Sequence, residues 1–182
     1  ESVAVIEGAG TIGLEIDVTP DVVYVPMGSG SLASGVAIAI KSRFPNARVV
    51  AVQAKGSPAM VESFHARAPI ERSASTLADG LICRKPAILA LETLLRYVDD
   101  AIALTDEELL AAMGRMMFGA HLLVEPSGAA GLAAAIRDRD GNVGKRVVVI
   151  ATGANANAND VSAALHRTPR TTLPSPSHPA GD

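Results

Sequence analysis

Short apolar runs alternate along the chain with longer segments in which apolar residues recur at helical spacing. Five runs rich in Val, Ile and Ala are predicted to be strands buried on both faces, at residues 3–6, 22–25, 48–53, 101–104 and 146–151. Six segments are predicted to be helices, at residues 11–16, 31–43, 57–65, 86–97, 106–118 and 127–137. Thr105 and Glu108 have the spacing of a capping box at the start of the fifth helix. The alternation predicts an α/β fold, a three-layer sandwich with a mainly parallel sheet.

One domain and a short tail account for the whole chain. The 182 residues are enough for a single domain with a buried core, which we predict over residues 1–165. Residues 166–182 contain four of the eleven prolines, with Ser and Thr between them. This composition predicts a disordered extension.

The charge balance narrows the classes of partner. The chain has 16 Lys and Arg against 19 Asp and Glu, a formal net charge of −3. No cluster of basic residues offsets the acidic ones, so we expect no nucleic-acid partner and no anionic membrane partner. Hydrophobic residues make up 48% of the chain and aromatic residues only 3%, which predicts an aliphatic core.

Cysteine usage and hydropathy predict a cytoplasmic protein. Cys83 is the single cysteine, so no disulfide forms within the chain and a reducing compartment is expected. No run approaches the roughly 20 apolar residues of a membrane-spanning helix. The first ten residues lack the basic and apolar regions of a signal peptide.

The most informative segment is VVYVPMGSGSLASG, at residues 22–35. A strand-like run ends at a proline, a short Gly/Ser turn follows, and an Ala-rich helix begins. Such a turn leaves backbone N–H groups without partners at a helix N-terminus, where the helix dipole favours negative charge. Gly28 and Gly30 can adopt positive φ and let an anion approach the main chain closely. The segment therefore predicts a phosphate site.

A second glycine-rich segment leaves an alternative open. Residues 8–13, GAGTIG, have the G-x-G-x-x-G pattern of dinucleotide-binding loops and follow the predicted strand at residues 3–6. A dinucleotide site also needs an acidic residue at the end of the next strand, and that strand ends here at Pro26 and Met27. Close packing of a helix is the favoured interpretation of these glycines, and a nucleotide site is the weaker one.

Seven motifs in a fixed order give the chain a family resemblance: EGAGTIGLEI, VVYVPMGSGSLASGVAIAIK, VVAVQAKGSPAM, STLADGL, VDDAIALTDEEL, LLVEPSGAAGLAAA and VVVIATGAN. Together they resemble the C-terminal half of the threonine dehydratase (threonine ammonia-lyase) and serine racemase family. The resemblance extends from about Val5 to Asp160. It implies a pyridoxal 5'-phosphate (PLP) enzyme of fold type II, with the tryptophan-synthase-β fold truncated at its N-terminus.

The resemblance implies a cofactor site built from two of these motifs. In the family, a tetraglycine loop binds the PLP phosphate through main-chain N–H groups, and a serine in a Ser-Gly-Gly-Asn segment meets the pyridine nitrogen. The matching cofactor-binding residues here are Gly28, Ser29, Gly30, Ser31, Leu32 and Thr152. Serine replaces glycine twice in the loop, which keeps the backbone donors provided that neither serine needs positive φ. A neutral hydroxyl at the ring nitrogen favours β-elimination.

The resemblance also identifies residues that this chain lacks. Family members hold PLP as a Schiff base on a lysine in a Ser-x-Lys-x-Arg-Gly motif, upstream of the matched region. A desolvated lysine is suited to that bond and to moving the α-proton. None of the four lysines has that sequence context: Lys41, Lys55, Lys85 and Lys145. We therefore predict no catalytic residue in this chain.

Other positions in the matched motifs bear on metal and acid–base chemistry. Gln53 and Ala59 stand where metal-binding family members carry an acidic pair. Because hard cations need several oxygen ligands, we expect no metal here. Asp79 and Glu125 lie in motifs close to the cofactor site, and we assign neither of them an acid–base role.

The resemblance implies the β-elimination of threonine or serine to a 2-oxo acid and ammonia. Without the lysine, we expect this chain to be an inactive or complementing fragment that acts as a homo-oligomer or with an N-terminal half. A non-catalytic module that binds PLP or phosphate is the first alternative. A nucleotide-binding protein that uses residues 8–13 is the second.

Overall fold

The structure is a computed structural model and describes residues 2–167. Its four strands are β1 (Val22–Pro26), β2 (Arg48–Ala54), β3 (Asp100–Leu104) and β4 (Val147–Val149). The helices within this range are α1 (Val3–Leu14), α2 (Ser31–Arg43), α3 (Ala59–Ala66), α4 (Ile88–Tyr97), α5 (Asp106–Arg115), α6 (Ala130–Arg137) and α7 (Ala158–Arg167). A 3-10 turn at Asp79–Leu81 and a π-helical turn at Met116–Ala120 complete the regular structure. The predicted disordered tail lies outside the described residues from residue 168 onwards.

The strands form one parallel sheet in the order β3-β2-β1-β4. Val22 pairs with Arg48 of β2 on one side and with Val147 of β4 on the other. Strand β2 pairs with one side of β1, and β3 pairs with the far side of β2. The chain then crosses back, and β4 pairs with the other side of β1. The order of the strands therefore reverses between β1 and β4, at their carboxyl ends.

Helices cover both faces of the sheet, because successive strand residues point to opposite sides. Val22 and Tyr24 of β1 belong to a core shared with α5, α6 and α7. Val23 and Val25 belong to a second core shared with α2, α3 and α4. The two cores confirm the predicted α/β fold with three layers and a parallel sheet.

The predicted capping box at the start of α5 is confirmed. Thr105 Oγ1 accepts a hydrogen bond from the Glu108 N–H at 3.3 Å, and Glu108 Oε2 accepts one from the Thr105 N–H at 2.8 Å. Arg137 Nε of α6 donates to Glu108 Oε1 at 2.7 Å. Partial burial acts to raise the pKa of Glu108, but the hydrogen bonds from Arg137 and Thr105 and the Arg137 charge outweigh it and lower the pKa.

The predicted strand at residues 3–6 is wrong, because these residues form the first turn of α1. The G-x-G-x-x-G pattern lies inside the same helix, so it makes no loop that could wrap a dinucleotide. Two of its glycines, Gly10 and Gly13, let α1 lie against α2, since their Cβ atoms would meet the Gly35 carbonyl oxygen at 3.2 Å and Ala39 Cβ at 2.7 Å. Gly35 of α2 has the same role from the other side, because a Cβ there would meet the Ile6 carbonyl oxygen at 2.2 Å. The packing interpretation of these glycines is the one that the structure supports.

Other differences concern the ends of elements and one additional helix. The predicted strand at residues 146–151 is shorter, because β4 spans Val147–Val149. Helices α3, α4 and α6 begin two or three residues after their predicted starts. The predicted helix at residues 106–118 ends as α5 at Arg115 and continues as the π-helical turn. Helix α7 has no counterpart among the predicted elements, and it runs through Arg167, at the start of the predicted tail.

Substituting Gly35→Ala should destabilise the fold by about 1–3 kcal/mol, the ordinary range for an overpacked contact, since the new methyl group meets α1 backbone atoms. Gly8→Ala is the matched control, because nothing lies within 4 Å of a Cβ on Gly8. This control should gain up to about 1 kcal/mol of helix stability. Urea unfolding of both variants measures the difference, and equal stabilities would contradict the close packing of α1 on α2.

Substituting Glu108→Gln should lower the free energy of unfolding at pH 7 by about 0.5–1 kcal/mol. Since the folded-state pKa of Glu108 lies below the unfolded value of 4.5, its interactions stabilise the fold above pH 4.5 and are lost as the pH falls through the folded-state pKa. Urea unfolding at several pH values should show the deficit shrinking at acid pH. Glu107→Gln, an exposed position in the same helical turn, controls for the helix dipole, and a deficit that is independent of pH would refute the prediction.

Candidate functional site

A cavity of about 380 Å³ lies at the carboxyl edge of the sheet, beside the ends of β1 and β4. This is the point where the strand order reverses, and open α/β sheets bind their ligands in the crevice at such a point. The six residues predicted to hold a cofactor all line this one cavity: Gly28, Ser29, Gly30, Ser31, Leu32 and Thr152. Two segments from opposite ends of the described chain therefore meet here.

The glycine loop (residues 28–32) joins the end of β1 to the start of α2. Gly30 has φ of 102°, in the left-handed region that favours glycine. A Cβ on Gly30 would also meet the side chains of Met60, Ala90 and Leu94 at 3.1–3.2 Å. Gly28 is required for a different reason, because a Cβ there would lie 2.4 Å from the Gly80 carbonyl oxygen.

The two serines in the loop fit its backbone. Among the described residues, Arg67 and His121 are the non-glycine residues with positive φ. Ser29 and Ser31 therefore occupy ordinary backbone conformations. The condition set by the sequence, that neither serine needs positive φ, is met, and the replacement of glycine by serine costs the loop no strain.

The first turn of α2 supplies hydrogen-bond donors to the cavity. The first N–H groups of an α-helix have no carbonyl acceptor within the helix. Gly30 is the N-cap of α2 and has no side chain with which to cap the helix. The first bond of the helical ladder is the one that the Ser34 N–H donates to the Gly30 oxygen at 2.8 Å. Main-chain N–H groups and the positive end of the helix dipole thus lie at the cavity.

Thr152 belongs to the segment that follows β4. Ile150 donates its N–H to the Tyr24 oxygen at 3.0 Å, which carries the pairing with β1 one residue past Val149. The chain then leaves the sheet, and Thr152 lines the cavity as a half-buried residue. The glycine loop and Thr152 thus follow neighbouring parallel strands, which is why they meet at the same edge.

Glu125 also lines the cavity and contacts the turn after Thr152. Its N–H donates to the Gly153 carbonyl oxygen at 2.9 Å. Its carboxylate Oε2 accepts a hydrogen bond from the Asn155 N–H at 3.2 Å. A negatively charged side chain is therefore built into this wall of the cavity.

Glycines let the remaining segments of the cavity wall approach each other. Gly80, in the 3-10 turn, donates its N–H to Ser127 Oγ at 3.1 Å. A Cβ on Gly128 would meet the Gly153 and Thr152 carbonyl oxygens at 2.7 and 2.9 Å. Side chains at these positions would push the walls of the cavity apart.

Asp79 and Gln53 have structural contacts outside the lining. Asp79 is exposed, and its Oδ1 accepts a hydrogen bond from the Gly80 N–H at 2.7 Å. Gln53 is fully buried, and its Oε1 accepts a hydrogen bond from the Val61 N–H at 3.0 Å. Ala59 is buried at the start of α3. Across residues 2–167, no group of three His, Cys, Asp or Glu side chains is arranged to hold a metal ion.

The lysines lie elsewhere on the molecule, and within the described range none lines the cavity. Lys41 Nζ donates to the Ala47 carbonyl oxygen and pairs with Asp99. Lys85 pairs with Glu71 at 2.9 Å. Lys55 and Lys145 are exposed.

Sequence reasoning missed the contribution of α1 to the site. Val5 and Ala9 of this helix line the cavity, yet residues 3–6 read as a strand. Gly80, Leu81 and Ser127 were also not identified as lining residues. The small residues in the STLADGL and EPSGAAG motifs are the signal that could have indicated them, because small residues mark close backbone approach.

The part of the chain that the structure describes contains no helix with the length and apolar character needed to cross a bilayer.

Comparisons with known proteins identify the family. A family model described as pyridoxal-phosphate dependent enzyme matches residues 1–153. L-threonine ammonia-lyase of Thermotoga maritima is 39% identical over 167 residues, which cover 90% of this chain and 41% of that protein. The processed form of threonine deaminase isoform 2 from Solanum lycopersicum superposes with a TM-score of 0.83 at 26% identity, over 89% of this chain and 49% of that one. Maize serine racemase superposes with a TM-score of 0.80 at 30% identity, over 92% of this chain and 54% of that one.

The chain spans about half the length of the curated relatives it matches. The relatives named above include the enzyme classes that the seven motifs indicate, so the resemblance is confirmed. PLP is the cofactor of the matched family. The chain belongs to the family of pyridoxal-phosphate dependent enzymes.

Proposed function

We propose that this chain forms the cofactor-holding part of a PLP-dependent threonine or serine ammonia-lyase. The observation that carries the proposal is that the glycine loop and Thr152 line one and the same cavity, at the carboxyl ends of β1 and β4. Relatives that bear the names threonine ammonia-lyase and threonine deaminase support this reaction class. In the proposed reaction, β-elimination converts the hydroxy amino acid to a 2-oxo acid and ammonia.

The donors and surfaces of the cavity fit PLP. The backbone N–H groups of the glycine loop and the positive end of the α2 dipole suit a phosphate. Leu32 and Leu81 give the cavity apolar surface for an aromatic ring. The hydroxyl of Thr152 can donate a hydrogen bond to the unprotonated ring nitrogen. When bound, PLP supplies the electron sink that makes elimination from an amino acid accessible.

The residues of this chain have binding and orienting roles in the proposal. The glycine loop holds the phosphate through its main chain, and Thr152 orients the ring through the pyridine nitrogen. Because Thr152 is neutral, it does not hold the ring nitrogen protonated as a carboxylate would, which favours elimination. Glu125 and the glycines around it fix the wall that carries Thr152.

The lysine that the reaction needs is assigned to another polypeptide segment. Lysine chemistry of this kind requires a desolvated amine at the reacting atoms. Within residues 2–167, the lysines lie away from the cavity lining. We therefore propose that this chain alone is inactive and that the lysine comes from a complementing segment.

Exposed apolar residues in two segments that contribute to the cavity wall support a partner. Val5 lines the cavity and is 55% exposed. Leu122 and Leu123 are half exposed, shortly before Glu125. Apolar residues grouped near a site are typical of a surface that another polypeptide covers. We propose that a complementing N-terminal half or a second copy of the chain covers it, and that the assembly works in the cytoplasm.

A phosphate-binding module without catalysis is the second candidate. The observation that favours it is the same distribution of lysines, because a cavity with anion donors and no lysine can hold a phosphate compound without reacting with it. The two candidates differ in what happens when the missing segment is supplied.

Gly30→Ala should weaken binding of pyridoxine 5'-phosphate at least tenfold, because a side chain at φ of 102° distorts the glycine loop. Pyridoxine phosphate carries an alcohol in place of the aldehyde, so it cannot react with surface lysines. Ser29→Gly keeps every backbone donor and should change the dissociation constant by less than about threefold. Titration calorimetry measures binding, and urea unfolding verifies that Gly30→Ala is folded.

Thr152→Val serves as a second test, because Thr152 is half-buried at the cavity and its substitution should leave the fold intact. It should raise the dissociation constant for pyridoxine phosphate about tenfold and leave the dissociation constant for inorganic phosphate unchanged. Unchanged pyridoxine phosphate binding in both Gly30→Ala and Thr152→Val would refute the proposed site.

The chain alone should form no 2-oxobutanoate from L-threonine in the presence of PLP. Borohydride treatment followed by mass spectrometry should find no lysine modified in stoichiometric amount. Adding the segment of the Thermotoga relative that this chain does not match should restore ammonia release if the chain is a complementing fragment. Activity of the isolated chain would overturn the assignment of the lysine to another segment, and binding without restored activity would favour the phosphate-binding module.

A further inference from the structure

Glu125 connects three segments of the cavity wall. It lies shortly before α6, and its carbonyl oxygen accepts the Ala129 N–H at 3.2 Å in the turn that leads into this helix. Its own N–H donates to the Gly153 carbonyl oxygen at 2.9 Å, and its Oε2 accepts the Asn155 N–H at 3.2 Å. Main chain and side chain of one residue therefore hold the turn after Thr152 at two points.

The fit of the Glu125 side chain is also steric. A Cβ on Gly153 would meet Glu125 Oε1 at 2.4 Å, and one on Gly80 would meet the same oxygen at 3.4 Å. The carboxylate thus lies against the Gly153 backbone and close to the 3-10 turn. This place is available because neither of those two residues has a side chain.

Thr152 depends on these contacts because it precedes Gly153 directly. The turn after it has few restraints of its own: Gly153, Ala154 and Asn155 are exposed, and Gly153 contributes no side chain. Without the two hydrogen bonds to Glu125, the turn would keep the packing of Gly128 against the Thr152 and Gly153 carbonyls but lose the hydrogen bonds that fix it to the segment before α6.

We propose that Glu125 is a positioning residue for Thr152: its N–H and carboxylate clamp residues 153–155, and this holds the Thr152 hydroxyl at the cavity. The inference rests on the proposed function in one respect, the role of Thr152 at the ring of PLP. The clamp needs a hydrogen-bond acceptor of the right length at position 125. It does not need a negative charge.

Glutamine separates these two properties. In Glu125→Gln, the amide oxygen can accept the Asn155 N–H at the same place while the charge is lost. In Glu125→Ala, the Asn155 N–H loses its acceptor and the Gly153 backbone loses its contact. Asp79→Asn is the matched control, since it removes an exposed carboxylate beside Gly80 that does not line the cavity.

The experiment measures dissociation constants of the full chain for pyridoxine 5'-phosphate and for inorganic phosphate. Glu125→Ala should raise the dissociation constant for pyridoxine phosphate about tenfold, which is the effect of losing one hydrogen bond. The dissociation constant for inorganic phosphate should change less than about twofold. Glu125→Gln should stay within about threefold of the wild type, as should Asp79→Asn. The double variant Glu125→Ala/Thr152→Val should bind no more weakly than Thr152→Val alone, because Glu125 acts through Thr152.

Two results would overturn the proposal. A double variant about 100-fold weaker than the wild type would show that the two residues act independently, since independent tenfold effects multiply. A Glu125→Gln variant as weak as Glu125→Ala would show that the charge is what matters.

Amide hydrogen exchange at Asn155 gives a readout that needs no ligand. Exchange should accelerate at least tenfold in Glu125→Ala and stay close to the wild-type rate in Glu125→Gln. If the wild type binds neither phosphate compound, the proposed function fails. The exchange rate at Asn155 still shows whether Glu125 holds residues 153–155. An unchanged exchange rate in Glu125→Ala overturns the clamp whatever the chain binds.

Discussion

The cavity depends on close contact between backbones at positions that have no side chain. Gly28 lies against the carbonyl oxygen of Gly80, and Gly128 lies against the backbone of Thr152 and Gly153. At each contact a Cβ would approach to between 2.4 and 2.9 Å of the neighbouring oxygen. The loops at the carboxyl edge of the sheet can therefore converge on a small volume and present main-chain N–H groups there. Side chains at these glycines would separate the loops.

Much of the fold could be predicted from the sequence because its determinants are local. The Val-rich runs of β1 and β2 read as strands buried on both faces, and Thr105 with Glu108 marked the start of α5. Helix α2 begins and ends where its pattern predicts, since the Gly/Ser turn marks its start and the apolar spacing continues to Arg43. The six residues predicted to hold a cofactor came from a family resemblance, and the cavity that joins them follows from parallel strands ending at one edge.

The remainder could not be predicted, because it depends on distant parts of the chain. The apolar run at the start of α1 suits a strand, but packing against Gly35 of α2 makes it a helix. Helix α7 packs on the core through buried Ala164 and half-buried Val161 and Ala163, but no strand or helix signal in the sequence before it indicated that the chain returns to this face of the sheet. The clamp by Glu125 joins residues that are separated by a helix and a strand, and no spacing in the sequence reveals that contact.

The reversal of strand order has a consequence for how the molecule is made. The glycine loop follows the first strand of the sheet, whereas Thr152 and the turn that Glu125 holds follow the last. During synthesis from the N-terminus, the glycine loop is made well before the segment that carries Thr152. Until β4 has been made, the edge of β1 that β4 will cover has no partner strand from the described part of the chain. The cavity is therefore complete only once β4 has paired with β1, and a ligand bound in it would stabilise that pairing.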